Sequence, residues 1–197
     1  MKTKLYFALT ILFFITVRFA CGQGFIYDQQ STNLIEGTAP FRQIYQPVGQ
    51  SFTPTLASVK FIVLQLFDSD AFNNAGATVY VNLRSNSITG PVLGSTAPVF
   101  MPGSFFGITN FLFSTAIAVT PGLTYYFQPI IQSGDNFSIY VTDASYSGGS
   151  AIAGGVPITD RNLWFREGVF SVPEPSSALL ALLGSGAWLF VRRQRMK

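Results

Sequence analysis

Histidine is absent from this 197-residue sequence, and cysteine occurs once, as Cys21. Those two absences remove Ser-His-Asp and Cys-His catalysis and the usual zinc sites from consideration. They also leave the body of the chain without a disulfide, so packing has to supply its stability. Charge is scarce as well, at 11% of residues, against 48% hydrophobic and 15% aromatic, with twenty Phe and eight Tyr. A chain of this composition buries a core and is not a disordered tail. The formal charge of +3 invites a polyanion-binding reading, but seven of the twelve basic residues sit at the two ends: Lys2, Lys4, Arg18, Arg192, Arg193, Arg195 and Lys197. Between Gln23 and Val172 five bases (Arg42, Lys60, Arg84, Arg161, Arg166) face eight acids, a net of −3, and no nucleic-acid partner is expected.

The ends read as addresses rather than fold. A short positive start, Met1 to Lys4, precedes the apolar run Leu5 to Val17, the length of a signal-peptide core. Ala20 and Gly22 form an A-x-G cleavage pattern for signal peptidase, which puts the signal at residues 1–22 and the mature start at Gln23, although Arg18 is unusual so near a cut. A rival reading makes Cys21 a lipidated N-terminus; the preceding Arg18-Phe19-Ala20 lacks the small and aliphatic pair of a lipobox.

At the other end, Val172-Pro173-Glu174-Pro175-Ser176-Ser177 is followed by the apolar run Ala178 to Val191 and then by Arg192-Arg193-Gln194-Arg195-Met196-Lys197. As a helix of about 1.5 Å per residue the run reaches roughly 21 Å, short of a hydrocarbon core of about 30 Å. Trp188 at the interface and snorkelling arginines relieve that mismatch, and the basic cluster is expected to stay cytoplasmic with the body outside. An ordinary core helix that ends in arginines is the bland alternative. This order of parts resembles the PEP-CTERM sorting signal of Gram-negative bacteria over about an eighth of the chain. The resemblance implies a substrate of an exosortase, a membrane-embedded cysteine transpeptidase-like enzyme, in species that make extracellular polysaccharide. It assigns Pro173, Glu174 and Pro175 to the recognition tripeptide, residues 178–191 to a transmembrane helix, and Arg192, Arg193, Arg195 and Lys197 to the cytoplasmic anchor within a sorting signal at 172–197. Apart from any family, two prolines hold the tripeptide extended and without helical hydrogen bonds, where a protease can reach it.

About 150 residues remain, the size of one domain with one core, here residues 23–171. Short apolar stretches are punctuated by Gly, Pro, Asn and Ser, without a helical period. Thr78 to Arg84 alternates, with Val79, Val81 and Leu83 on one face; Val59 to Phe67 is apolar on both faces, as a central strand is. Phe111 to Val119 and Leu123 to Ile131 flank Thr120-Pro121-Gly122 and are expected to form a hairpin. Further strands are expected at Gln50–Phe52, Val92–Gly94, Phe137–Val141 and Leu163–Arg166, eight or nine in all. The fold class is therefore all-β, a single β-sandwich. Gln50-Ser51-Phe52-Thr53, the long apolar strand, Thr120 to Tyr126 and the Tyr146-Ser147-Gly148-Gly149 loop resemble the jelly-roll, galactose-binding-like domains of anchored bacterial surface proteins in style and spacing.

Candidate chemistry in the body is thin. Asp68 and Asp70 could pair as carboxylates, and with Asn73 they are weak calcium candidates, but the loop lacks EF-hand spacing and reads better as solvated Asx turns, as do Asp135-Asn136 and Asp143. No cofactor is expected. Aromatic platforms for a glycan exist at Tyr146 and Trp164 with Arg161 nearby, and at Tyr125, Tyr126 and Tyr140; strand aromatics are more often core or cross-strand partners. The expectation is a non-enzymatic envelope protein whose sandwich lies against extracellular polysaccharide, with a lectin-like module as the alternative and a hydrolase behind it.

Overall fold

The structure is a computed structural model that describes residues 24–40, 45–70 and 72–171. The sorting tripeptide, the apolar tail and basic terminus, and the export signal all lie outside the described residues. Among the described residues no helix is long and apolar enough to cross a membrane. Phe25–Phe170 forms one compact unit.

Among the described residues fourteen strands make two seven-stranded antiparallel sheets. The first runs β1 (Phe25–Ser31), β14 (Phe165–Phe170), β4 (Ser58–Asp68), β10 (Phe137–Thr142), β13 (Asn162–Leu163), with β2 (Leu34–Pro40) on β10 and β8 (Phe106–Ala118) on β4. The second runs β12 (Val156–Ile158), β11 (Ala151–Ala153), β3 (Gly49–Phe52), β9 (Tyr125–Gly134), β5 (Ala77–Ser85), β6 (Val92–Ser95), with β7 (Val99–Met101) on β5. Inner faces from both sheets share one core: Ile62, Leu64, Leu66, Phe111, Phe113 and Phe165 from the first, Phe52, Val79, Val81, Leu83 and Phe127 from the second. The Phe127 and Phe165 rings meet across the sheets at 5.2 Å. Among the described residues seven phenylalanines are fully buried. The arrangement is consistent with the jelly-roll-like body expected from the sequence.

β4 is central, with β8 along one side and β14 then β10 along the other. Its alternation buries both faces: Ile62, Leu64 and Leu66 inward, Phe61 and Val63 into a second cluster with Trp164 on the outside of the sheet. The expected hairpin across Thr120-Pro121-Gly122 does not form. β8 pairs with β4 in the first sheet, whereas both sides of β9 are taken by β3 and β5 in the second, so the turn crosses between sheets. It is held there by the Gly122 amide on the Pro54 carbonyl, 2.9 Å, and the Thr120 amide on the Tyr125 hydroxyl, 2.9 Å. The turn chemistry was right, but a Thr-Pro-Gly turn says nothing of which sheet the next strand joins.

Both long margins of the sandwich are stitched. At one, Thr96 donates its amide to Val81 of β5 while bridging to Phe113 of β8. At the other, buried Gln50 of β3 donates to the Asn162 side chain of β13 at 2.8 Å and accepts from the Leu163 amide at 2.8 Å. Asn162, 1% exposed, also donates to the carbonyls of Asp143 and Tyr146. Replacing Asn162 by alanine strands several buried polar groups at once and is expected to cost about 2–4 kcal/mol, read as a lower denaturant midpoint.

Candidate functional site

The described body holds an open polar cleft, of about 510 Å³, between the end of β1 with its following turn (Gln29 to Asn33), Thr53 after β3, and the loop Ser145 to Gly148. No charged side chain lines it. The 145–148 rim is clamped from behind: Thr53 donates its hydroxyl to the Gly148 carbonyl at 3.0 Å and its amide to the Tyr146 hydroxyl at 3.2 Å, while Asn162 holds the Tyr146 carbonyl. The Asn33 amide spans the rims to the Ser145 hydroxyl, 3.3 Å. A cleft of fixed, neutral donors and acceptors suits an uncharged, hydroxylated ligand better than an ionic one.

Beneath β1 lie two acids in contrasting settings. Asp28 sits at a bulge of β1 and accepts from the Thr55 and Leu56 amides, 2.7 and 2.9 Å, from the Thr55 hydroxyl and from Gln29. Burial pushes its pKa up, but these hydrogen bonds outweigh burial and hold it below the ordinary carboxylate value. Glu167 of β14 is fully buried, and neither carboxyl oxygen has a hydrogen bond of ordinary geometry. Its pKa is pushed up to about 9, first by burial and then by the neighbouring Asp28, with the Gln29 backbone opposing. Tyr146 is likewise pushed up to about 12, chiefly by burial. The split resembles that of an acid–base pair, but Glu167 does not line the cleft and Asp28 is fully occupied as a turn acceptor.

The glycan candidates are not brought together. Tyr146 lines the cleft and packs edge-on against Phe165 at 5.2 Å. Trp164, 4% exposed, is in the cluster on the outside of the first sheet. Trp164 belongs to the outer cluster with Phe61 and Val63, whereas Phe165 and the Tyr146 packed on it belong to the inner core, so the two aromatics stand on opposite sides of the sheet. Arg161 is partly exposed and pairs with Asp160 at 3.8 Å. Tyr125 is buried, and Tyr140 lies against Phe67 and Phe106. Asp68 accepts from the Asp70 and Ser104 amides, Asp70 from Phe72, and Asn73 from Ala75, so these oxygens close turns. Among the described residues no three His, Cys, Asp or Glu side chains converge as a metal site would require. Sequence reasoning missed Asp28, Glu167 and the Gln29–Asn33 rim, although the alternation Phe165-Arg166-Glu167 places a carboxylate on the same face as a core phenylalanine.

Compared with known families, residues 171–195 match the one described as the PEP-CTERM protein-sorting motif. The tail is a PEP-CTERM motif. Pro173, Glu174, Pro175, Arg192, Arg193 and Arg195 fall inside the match, and Lys197 just beyond it. Such a motif supports exosortase-dependent sorting of an exported protein and implies an exosortase as the processing partner. No curated protein is similar to the chain by sequence.

Proposed function

We propose that this chain is a cell-envelope precursor with a removable signal at 1–22, a non-catalytic sandwich at 23–171, and a membrane-held sorting tail that exosortase removes. The tail carries the reading: the PEP-CTERM motif at residues 171–195 couples a tripeptide whose two prolines are unsuited to a helix interior to an apolar run and a basic stop. The non-catalytic reading rests on the absence of histidine, the lack of a cysteine beyond the signal, and the inaccessibility of Glu167. In the envelope the sandwich acts as a structural or interaction module beside extracellular polysaccharide. A lectin-like role is the second reading, favoured by the neutral polar cleft with Tyr146 in its wall.

The test is the intact mass of the protein from the envelope and from the medium of its own host. A species lacking both the first twenty-odd residues and everything beyond the Pro-Glu-Pro region is the expected result. A product that keeps Arg192 to Lys197 would reduce the tail to a plain anchor and end the exosortase reading.

A further inference from the structure

The outside of the first sheet carries an aromatic plate where the body begins and ends. Phe25 packs edge-on against Phe61 at 4.8 Å and against Phe170 at 5.2 Å, Tyr27 against Phe61 at 5.8 Å, and Phe61 stacks on Phe170 at 5.5 Å. The Arg166 guanidinium lies over both Tyr27 and Trp164, 4.9 and 5.2 Å from the ring centres. Phe61 and Trp164 are buried beneath, whereas Phe25 and Tyr27 remain 40% and 43% exposed. Gly168 makes the close approach feasible: a Cβ there would stand 1.9 Å from the Ile26 carbonyl oxygen, so β1 could not lie against β14 with any larger residue.

The first residue of β1 pairs with the last of β14, Phe25 with Phe170. From Phe170 only Ser171 to Ser177 intervene before the apolar run begins at Ala178. Seven residues at no more than about 3.6 Å each reach roughly 25 Å. A compact body of about 150 residues has a radius of gyration near 15 Å and so measures roughly 38 Å across. The tether is shorter than the body it holds, so while the tail is in the bilayer chain connectivity keeps Phe170, and with it the Phe25 end of β1, within about 25 Å of the start of the apolar run. Tyr27, with its polar edge, and Arg166 are of the side-chain types that the headgroup region favours, and Phe25 adds apolar area beside them.

We propose that this plate, with Phe25 and Tyr27 at its surface and Arg166 behind them, rests on the lipid headgroup–acyl boundary of the precursor's own membrane until the tail is cut. The proposal rests on the membrane-held tail proposed above. Cutting then removes the tether, and a contact this small releases the body, since one or two aromatic anchors alone hold a protein only marginally at a membrane.

The test uses the tail-bearing chain carrying Cys21→Ser and one new cysteine, Tyr27→Cys, Phe25→Cys or, as the opposite-face control, Phe100→Cys on exposed β7 of the second sheet. Each is labelled with an environment-sensitive fluorophore and reconstituted into vesicles of phosphatidylethanolamine and phosphatidylglycerol. Blue-shifted emission that doxyl-lipid quenches at positions 25 and 27, absent at position 100 and lost when the tail is removed, is the expected result; two separate sites guard against one substitution disturbing the fold. A chain that floats with the vesicles while both labels stay in water overturns the proposal and leaves the anchored tail standing. Emission that shifts without lipid quenching also overturns it, and assigns the plate to a second protein copy or another polymer. A chain that does not float at all removes the anchor reading and this proposal with it.

Discussion

Glu167→Gln is expected to raise the melting temperature of the body by about 5 °C or more at pH 8 and to flatten its pH dependence. In the folded chain Glu167 is buried, lacks a hydrogen bond of ordinary geometry and binds its proton up to about pH 9, against a starting value of 4.5. A carboxyl whose folded pKa lies above its unfolded one contributes its full stability below the unfolded value and loses it as pH rises through the folded value. Between about pH 4.5 and 9 the unfolded chain has released a proton that the folded chain retains, so this group makes folding less favourable by up to about 1.4 kcal/mol per pH unit. Glutamine removes the proton uptake while keeping the shape. Its amide is then the buried group in search of partners, which offsets part of the gain, and a net of about 2 kcal/mol at pH 8 is the expectation. At pH 4, where the unfolded glutamate is itself largely protonated, the proton-linked gain is gone and only the cost of the buried amide remains, so the variant is expected to fall to or below the parent. Equal melting curves at pH 8 would mean that Glu167 meets water or a cation when the chain is in solution.

Asp28 acts in the opposite sense on the same strand pair. Its pKa is held down by hydrogen bonds from Thr55, Leu56 and Gln29, so its contribution is present above the ordinary carboxylate value and fades as pH falls through the lowered one. Removing it by Asp28→Ala strands the Thr55 and Leu56 amides and destabilises the body even as it relieves Glu167. The two substitutions are therefore expected to be non-additive, as groups in direct contact usually are.

Much of the fold was legible because its signals are local. Val79-Tyr80-Val81-Asn82-Leu83 alternates in sequence, and its strand alternates in burial from Ala77 to Val81 before Asn82 is buried as well. The doubly apolar run at 59–67 became the central β4 with cover on both faces. What escaped was set by partners far away in the chain. β1 (Phe25–Ser31) carries Asp28, Gln29, Gln30 and Ser31 and is not among the strands expected from the sequence; it is a strand because β14, at the far end of the body, pairs with it. Leu163–Arg166 reads as one strand but divides at Trp164, whose amide bonds to the Tyr140 carbonyl at 2.7 Å as the chain passes from β13 to β14. Partner choice also decided the fate of Thr120-Pro121-Gly122, which joins sheets rather than neighbours. In the candidate sites, residue type was a fair guide to chemistry and a poor one to accessibility. Trp164, the best platform by type, is buried under Arg166, whereas neutral Gln30 and Thr32, unremarked by type, line the cleft.

Pro173-Glu174-Pro175→Ala-Ala-Ala is expected to leave export intact and to lower the tail-cleaved fraction about tenfold or more, a loss of about 1.4 kcal/mol or more of recognition in the cutting step. Proline disfavours a helix interior: each fixes its own φ and lacks an amide hydrogen, and each biases the residue before it toward an extended backbone. Alanine does the reverse, being the best helix former, so the apolar run is free to extend back from Ala178 through Ser177 and Ser176 to position 173. Read as a helix of about 1.5 Å per residue, the lengthened segment reaches roughly 28 Å in place of 21 Å, close to a hydrocarbon core of about 30 Å. The uncut form should thus accumulate in the membrane and hold there more firmly than the parent precursor. Glu174→Gln alone separates the two causes, because it keeps both prolines and removes only the charge. Loss of cutting in both variants identifies the carboxylate as a feature that exosortase reads. Loss in the alanine variant alone assigns recognition to the extended backbone, and unchanged cutting in both would move the recognised segment away from Pro173-Glu174-Pro175.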